Sequence, residues 1–152
     1  MSTTTPETIR LVHGTWDELR ALTRPLRIDV FVHEQQVPLE LEIDELDPES
    51  VHLAALDTAG RCVATGRLTP DGHIGRLAVA AAHRGRGLGG RVLEALVQSA
   101  IHGGWREVVL HAQVHAIPFY EAHGFIAHGG VFDDAGIPHK QMTRVLPTTE
   151  DA

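Results

Sequence analysis

A segment rich in glycine and arginine is the first feature of this sequence that could do chemistry. It lies between a strand-like stretch ending at Val79 and a long amphipathic stretch, and it comprises Arg84, Gly85, Arg86, Gly87, Leu88, Gly89 and Gly90. A helix N-terminus presents unpaired N–H groups and partial positive charge, and glycine admits an anion that a Cβ would exclude. The segment therefore predicts a binding site for a phosphate-containing ligand.

Two common phosphate-binding motifs fit this segment less well. A P-loop requires Gly-Lys-Ser/Thr where the helix starts, and the segment has none, which argues against nucleotide hydrolysis. Gly85, Gly87 and Gly90 have the spacing of a dinucleotide-binding fingerprint, but residues 80–83 separate them from the preceding strand. The acid expected to end the next strand is also missing, because Glu107 begins it.

A run of acidic residues, here called the acidic segment (residues 34–49), is the second feature. It contains seven carboxylates and no Lys, Arg or His, and its acids are Glu34, Glu40, Glu42, Asp44, Glu45, Asp47 and Glu49. Two interpretations stay open: a solvated, mobile loop, or a rim that attracts a cation. The apolar residues between the acids, such as Leu41 and Ile43, favour the second.

Histidine and cysteine give weak signals. The sequence has eleven histidines, but His33-Glu34 lacks the second histidine of a zinc-protease helix because Val37 stands there. His111 and His115 straddle a strand end rather than one helix face. We predict no metal site, and we interpret Cys62 as a small buried hydrophobic residue.

The predicted elements place the glycine-rich segment between a strand and a helix. Thr15 and Glu18 match a capping box that opens a first helix, Pro25 predicts a break, and a second helix follows over 26–34. The remaining helices are expected at 86–102 and 116–123. Strands are expected at 8–13, 51–56, 62–68, 73–79, 107–112, 125–129 and 138–145. This order predicts a mixed α/β domain, mainly antiparallel, with one helical crossover to a parallel neighbour.

Length and charge limit the class of protein. A chain of 152 residues makes one domain, and we expect a core over about 8–146 with flexible termini. Thirteen basic against 20 acidic residues give a net charge of −7, which disfavours binding to nucleic acid or an anionic membrane. The sequence shows no secretion signal and no run long enough to cross a bilayer. We predict a cytoplasmic protein.

Two motifs together resemble the GNAT acyltransferase superfamily. Residues 84–89 are similar to its Arg/Gln-x-x-Gly-x-Gly/Ala loop, which binds the pyrophosphate of acetyl-CoA. Residues 116–125 resemble its Ala-x-x-x-Tyr-x-x-x-Gly-Phe helix, with Tyr120 placed 31 residues beyond Gly89. A closer resemblance is to the ElaA-like branch, and it rests on residues 30–38, 42–47, 110–113 and 134–139.

The resemblance implies a fold and a set of site residues. The fold would be the GNAT acyl-CoA N-acyltransferase fold, a single mixed sheet with a central splayed parallel pair and flanking helices. Cofactor contacts would come from Leu77, Ala78, Val79, Arg84, Gly85, Arg86, Gly87, Leu88, Gly89, Gly90, Gln113 and Tyr120. Backbone amides of residues 77–79 would polarise the thioester, and Gln113 stands where the superfamily often has Asn.

Two catalytic roles need side chains. Tyr120 is the candidate acid for the leaving thiolate, with a structural place in the core as the alternative. For the general base the sequence offers only a pool, namely Glu34, Glu42, Asp44, Asp47 and His52, of which we select Glu34. Solvent could also remove the proton from an exposed ammonium.

These observations predict an N-acetyltransferase. It would transfer the acetyl group of acetyl-CoA directly, without an acyl-enzyme, to the amine of a small or peptidyl acceptor. The acidic segment favours a cationic acceptor bound by Glu34, Glu42, Asp44 and Asp47. A non-catalytic sensor or interaction domain that binds acetyl-CoA is the alternative. Neither metal nor nucleic acid is expected as a partner, and a homodimer is possible.

Overall fold

The computed structural model describes residues 8–147. The chain begins with strand β1 (Arg10–Gly14) and helix α1 (Trp16–Arg27). Thr15 caps α1 as predicted: its hydroxyl accepts from the Glu18 N–H at 3.2 Å, and Glu18 Oε1 accepts from the Thr15 N–H at 2.9 Å. This reciprocal pair satisfies two N–H groups that the helix cannot. The prediction of flexible termini lies largely outside the described residues.

The predicted break at Pro25 is wrong. Pro25 lies inside α1, and the chain runs on without interruption into a π-helical segment (Ile28–Glu34). Proline removes one backbone hydrogen bond from a helix. Burial of Leu26 and Val30 against Ala78 holds the helix to the sheet past this point.

The rest of the chain follows the predicted order. Its helices are α2 (Leu39–Glu42), α3 (Leu88–His102) and α4 (Ile117–Glu121). Its strands are β2 (Val51–Leu56), β3 (Cys62–Leu68), β4 (Ile74–Val79), β5 (Glu107–Gln113), β6 (Ile126–Asp134) and β7 (Ile137–Val145). Short 3-10 turns occur at Asp47–Glu49, Ala81–His83 and Val114–Ala116.

The strands form two antiparallel sheets rather than the single sheet that we predicted. One has the order β1-β2-β3-β4 and the other β5-β7-β6. In the described part of the chain, one parallel bridge, between His73 and Val109, joins them. There the Val109 N–H donates to the Gly72 carbonyl at 3.1 Å. Beyond this bridge β4 and β5 are not paired, so the expected splayed parallel pair is present and opens a cleft between the sheets.

Helix α3 supplies much of the core beneath both sheets. Its buried face consists of Leu88, Val92, Leu93, Leu96, Val97 and Ala100. Strand β3 approaches it closely at Gly66, where a Cβ would lie 2.8 Å from Leu96 Cδ1. This packing fixes the start of α3 next to the end of β4. Within residues 8–147, no helix is long and apolar enough to span a membrane.

Candidate active site

The glycine-rich segment forms a sharp loop before α3. Gly85 and Gly87 adopt φ values of +79° and +76°, a region that L-residues rarely occupy. Gly87 is the N-cap of α3, and the first N–H that bonds back to it is that of Arg91, at 3.2 Å. The N–H groups of Leu88, Gly89 and Gly90 therefore have no partner within the helix. These free N–H groups are the ones on which the predicted phosphate site depends, and anion binding by them stays a prediction.

Gly90 has a packing role as well. A Cβ on Gly90 would lie 2.9 Å from His123 Nε2, so α3 and the residues after α4 approach each other closely there. His123 Nδ1 lies 2.8 Å from Glu94 Oε2, and Arg144 donates to the same carboxylate at 2.9 Å. These contacts fix the orientation of the first turns of α3.

The Arg84 side chain is hydrogen-bonded to other residues of the protein. Its Nε donates to the Val79 carbonyl at 3.0 Å, and its two terminal nitrogens donate to the Glu34 carboxylate at 2.7 and 2.8 Å. The guanidinium thus ties the end of the π-helical segment to the end of β4. Arg84 shapes the loop in this structure, and the phosphate-binding charge predicted for its side chain is neutralised by Glu34.

The selection of Glu34 as general base is wrong. The hydrogen bond from Arg84 holds the pKa of Glu34 below its usual range, which makes this carboxylate a poor proton acceptor. The ion pair also occupies both carboxylate oxygens. Glu34 is paired with Arg84 of the glycine-rich segment and, unlike Asp44, does not line the cavity between the two sheets.

A cavity of about 690 Å³ opens where β4 and β5 diverge. Leu77 lines it from β4, Gln113 from β5, Tyr120 from α4 and Phe31 from the π-helical segment. Residues predicted for cofactor contact on three separate elements therefore share one space. Gln113 also donates from Nε2 to Gln35 Oε1 at 2.9 Å.

Strand β4 contains a bulge at this cavity. Thr65 pairs with Ala78 and Arg67 with Gly75, so Arg76 and Leu77 both face the single residue Gly66. Arg76 has a φ of +50°, a left-handed conformation that costs about 1–2 kcal/mol for an L-residue. A bulge disrupts the local ladder, so the backbone at residues 76–77 can present N–H groups to a ligand in the cavity.

Tyr120 lies between the core and the cavity. Its ring packs against Phe119 and Phe125, with centroid distances of 5.0 and 6.1 Å. Burial raises the pKa of Tyr120 to about 12, so the hydroxyl keeps its proton at any physiological pH. The two roles considered for Tyr120 are compatible, because the ring packs in the core while the residue lines the cavity.

Both interpretations of the acidic segment are wrong for Glu42 and Asp47. Arg27 contacts Glu42 at 2.5 Å and Asp47 at 2.9 Å, and both carboxylate side chains are fully buried. Arg67 donates to Asp47 at 2.8 Å as well. These acids are neither solvated nor able to reach an acceptor, because arginines from α1 and β3 neutralise them inside the protein.

Asp44 is the predicted acceptor-binding acid that lines the cavity. It accepts two hydrogen bonds of 2.7 Å from Arg67 and one of 3.3 Å from Arg76. Hydrogen bonding by Arg67 lowers its pKa to about 2. Asp44 is therefore ionised and paired. Sequence analysis missed these pairs because each arginine lies on a different element from the acidic segment.

In the part of the chain that the structure describes, four histidines line the cavity, namely His73, His111, His115 and His139, together with Asp71 and Asp134. His73 and His139 were not singled out from the sequence, and His111 and His115 were considered there only as metal ligands. The rings of His73 and His111 meet edge to face at 5.6 Å. The alternation of β5 was an available signal, since it places His111 and Gln113 on the same face. His52, from the base pool, is buried elsewhere, with Nε2 2.8 Å from the Asp47 carbonyl.

Among residues 8–147, no group of three or more His, Cys, Asp and Glu side chains is arranged to hold a metal ion. Cys62 was interpreted as buried, and the structure shows it half-buried and packed against the core. Its Sγ donates to the Ala64 carbonyl at 3.2 Å, and burial raises its pKa to about 11. A thiol with such a pKa is not a nucleophile at neutral pH.

The family comparison agrees with this geometry. A family model described as an acetyltransferase (GNAT) domain matches residues 18–146. The chain belongs to the GNAT family. Within that family, the glycine-rich loop, the splayed strands and the tyrosine helix are shared features on which the resemblance was based, and the chain is a GNAT-family N-acetyltransferase.

Individual relatives extend this result. The chain is 43% identical over 123 residues to a Bacillus subtilis protein named uncharacterized N-acetyltransferase YjcF, covering 78% of this chain and 87% of that protein. It is similar to a crystal structure of Escherichia coli ElaA, with 29% identity and a TM-score of 0.81 over 89% of this chain and 99% of that one. An acyl-CoA N-acyltransferase from Pseudomonas aeruginosa gives 34% identity and a TM-score of 0.76 over 91% and 99%. The resemblance to the ElaA-like branch is confirmed.

Proposed function

We propose that this GNAT acetyltransferase uses acetyl-CoA as its donor and transfers the acetyl group directly to an amine. The observation that carries the proposal is the position of two structural features, the N-terminus of α3 and the bulge in β4. The open N-terminal turn of α3, at residues 88–90, is joined to the end of β4 by residues 80–87, and Arg76 and Leu77 of the β4 bulge line the cavity. In acetyl-CoA a flexible arm joins the pyrophosphate to the thioester. The pyrophosphate would bind at the N-terminus of α3, and the thioester would lie in the cavity at the β4 bulge.

The donor would be held mainly by backbone groups. The N–H groups of Leu88, Gly89 and Gly90 would bind pyrophosphate oxygens, aided by the partial positive charge of a 15-residue helix. The N–H groups at the β4 bulge would polarise the thioester carbonyl, which stabilises the oxyanion that develops during attack. Arg86, which is exposed beside the loop, is the arginine left to add charge.

Tyr120 would donate a proton to the departing thiolate. Its pKa of about 12 exceeds that of an ordinary thiol, near 8.5, so transfer to a solvated thiolate would be uphill. The thiolate leaves inside the same cavity, however, where desolvation raises thiol pKa values. Cys62 illustrates the effect within this protein, because burial raises its pKa to about 11. The two pKa values are thereby brought closer.

We also propose that the acceptor is cationic, although on a different basis from the acidic segment. Asp71 and Asp134 line the cavity, and the Asp71 side chain is 62% exposed. Asp44 contributes less, because Arg67 and Arg76 offset its charge. An ammonium group would be attracted to the Asp71 and Asp134 side of the cavity.

Calorimetric titration with CoA tests the donor site. Gly87→Trp places a bulky side chain in front of the α3 N-terminus and should abolish CoA binding. Gly60→Trp is a matched control, because Gly60 has a φ of +80° and, like Gly87, has open space within 4 Å of the point where a Cβ would stand. Equal binding by the two variants would contradict the proposed site. CoA binding without thiol release across a broad amine panel would favour a non-catalytic sensor.

Further expectations from the sequence stay predictions. They are a single domain over 1–152, a cytoplasmic location, a possible homodimer, and no association with nucleic acid or membrane. The net charge of −7 supports the last of these, since a phosphate backbone or an anionic bilayer would repel the chain.

A further inference from the structure

The turn between β3 and β4 holds a histidine and a carboxylate together at the cavity. His73 Nδ1 lies 3.3 Å from Asp71 Oδ1. The Thr69 hydroxyl donates to the same Asp71 oxygen and accepts from the His73 N–H at 3.1 Å. A third bond, from the Thr69 N–H to the His73 carbonyl at 2.8 Å, closes the turn. The relative position of the two side chains is thus fixed by the backbone.

The exposure of the His73 ring is one-sided. Its Nδ1 is shielded from solvent and makes no hydrogen bond to any described residue, although 38% of the side chain is exposed. The exposed part therefore excludes Nδ1, and Nε2 is the nitrogen left to exchange a proton in the cavity. The Asp71 carboxylate lies beside Nδ1 and so helps to fix the orientation of the ring.

We propose that His73 is the general base of the acetyl transfer and that Asp71 is its positioning residue. The inference rests on the proposed function. His73 lies at the bridge where β4 and β5 meet, and four residues, or roughly 13 Å of strand, separate it from Leu77 at the bulge. Over this separation an acceptor amine at the thioester would pass its proton to the imidazole through water.

The other ionisable groups at this end of the cavity are less suited to the role. His139 is 8% exposed, and its Nδ1 contacts the Ile137 carbonyl at 2.7 Å. Partial burial lowers the pKa of His111, and His73 and His139 lower it further against the attraction of Asp134. The His111 ring is also packed edge to face against both His73 and Phe132.

The proton transfers balance. His73 takes one proton from the acceptor ammonium and later releases it to solvent. The free amine forms the C–N bond, the C–S bond breaks with its electron pair on sulfur, and Tyr120 gives that sulfur a proton. The excess proton on the new amide nitrogen returns through solvent to the Tyr120 oxygen. The products are the amide, CoA thiol and one released proton.

The first test is kinetic and uses thiol release with an amine that the parent enzyme acetylates. His73→Gln should lower kcat about 10²-fold or more and remove the acid limb of the pH profile, with CoA affinity unchanged. The loss of rate should be largest for strongly basic amines, because they bind as ammonium ions and must lose a proton before they react. It should be small for a weakly basic amine, because that amine binds in its unprotonated form. An equal loss for all amines, or a limb that persists in His73→Gln and disappears in His111→Asn, would overturn the proposal.

The second test needs no acceptor. Nuclear magnetic resonance titration of the His73 ring should differ between Asp71→Asn and the parent, because the substitution removes the carboxylate that lies 3.3 Å from Nδ1. Asp29 and His33 provide a matched control, because this exposed pair lies 3.4 Å apart outside the cavity lining. Asp29→Asn should leave the His73 titration and the pH profile unchanged. If Asp71→Asn has no effect either, His73 is not the oriented base, whereas a parent inactive on every amine would contradict the proposed function itself.

Discussion

Arg76 Nε donates to the Glu42 main-chain carbonyl at 3.1 Å, which joins the β4 bulge to the acidic segment. A second donor of the same guanidinium bonds to the Leu41 carbonyl at 3.1 Å. One residue therefore shapes the backbone where the thioester would be polarised and also holds the wall on the acceptor side. The left-handed φ of Arg76 places strain at this junction.

Replacement of Arg76 should separate these two contributions. Arg76→Gly and Arg76→Ala both lose the contacts to the acidic segment and should raise the KM of the acceptor to a similar extent, with little change in CoA affinity. Glycine adopts a positive φ without strain, so Arg76→Ala should be less stable than Arg76→Gly by about 1 kcal/mol. Urea unfolding compares the variants. Equal stabilities would show that the bulge does not require the left-handed conformation.

Tyr120→Phe should leave the CoA dissociation constant nearly unchanged, because the ring retains its packing against Phe119 and Phe125. Removal of the hydroxyl should lower kcat by about 10²- to 10⁴-fold, the range expected for a lost acid. Since burial raises the pKa of Tyr120 to about 12, the parent should show no alkaline loss of rate from this group below about pH 10. A kcat within twofold of the parent would restrict Tyr120 to a structural role.

Local patterns predicted the helix cap, the element order and the loop before α3. Thr15 and Glu18 act within one helical turn, and the glycines at 85 and 87 set their own backbone conformation. Pro25 failed as a local signal because tertiary packing of Leu26 and Val30 carries the helix past it.

The candidate site was only partly predictable because its electrostatics are long-range. Arg27, Arg67 and Arg76 stand 15 to 35 residues from their carbonyl and carboxylate partners, on α1, β3 and β4. A sequence shows the acids as an uncompensated run, whereas the fold neutralises them. The Asp71–His73 pair is local, but its importance depends on the cavity beside it, which forms only when the two sheets diverge.

Removal of Arg27 should be strongly destabilising. It would leave the buried Glu42 carboxylate without its arginine, remove one of the two arginines paired with Asp47, and lose the contact of the guanidinium with the Trp16 ring at 5.2 Å. Breaking a buried ion pair in this way costs about 3–5 kcal/mol. We expect Arg27→Met to lower the free energy of unfolding by this amount, measured as a lower midpoint of urea unfolding. Arg24→Met, on the exposed side of the same helix, serves as the control and should stay close to the parent.

Asp44 should contribute to acid sensitivity. Its pKa is lowered to about 2 by Arg67 and is near 3.9 in an unfolded chain, so its stabilising contribution is complete above about pH 4 and disappears as the pH falls towards 2. The difference corresponds to at most about 2.6 kcal/mol, and to less after solvent screening. The free energy of unfolding, measured in urea from pH 2 to 7, should therefore fall less steeply below pH 4 in Asp44→Asn than in the parent. Asp17→Asn removes an exposed carboxylate from the first turn of α1 and should keep the steep fall of the parent. If Asp44→Asn instead runs parallel to the parent at every pH, the Arg67 pair does not stabilise the ionised carboxylate, and the wall of the cavity is held by the Arg76 bonds to the backbone.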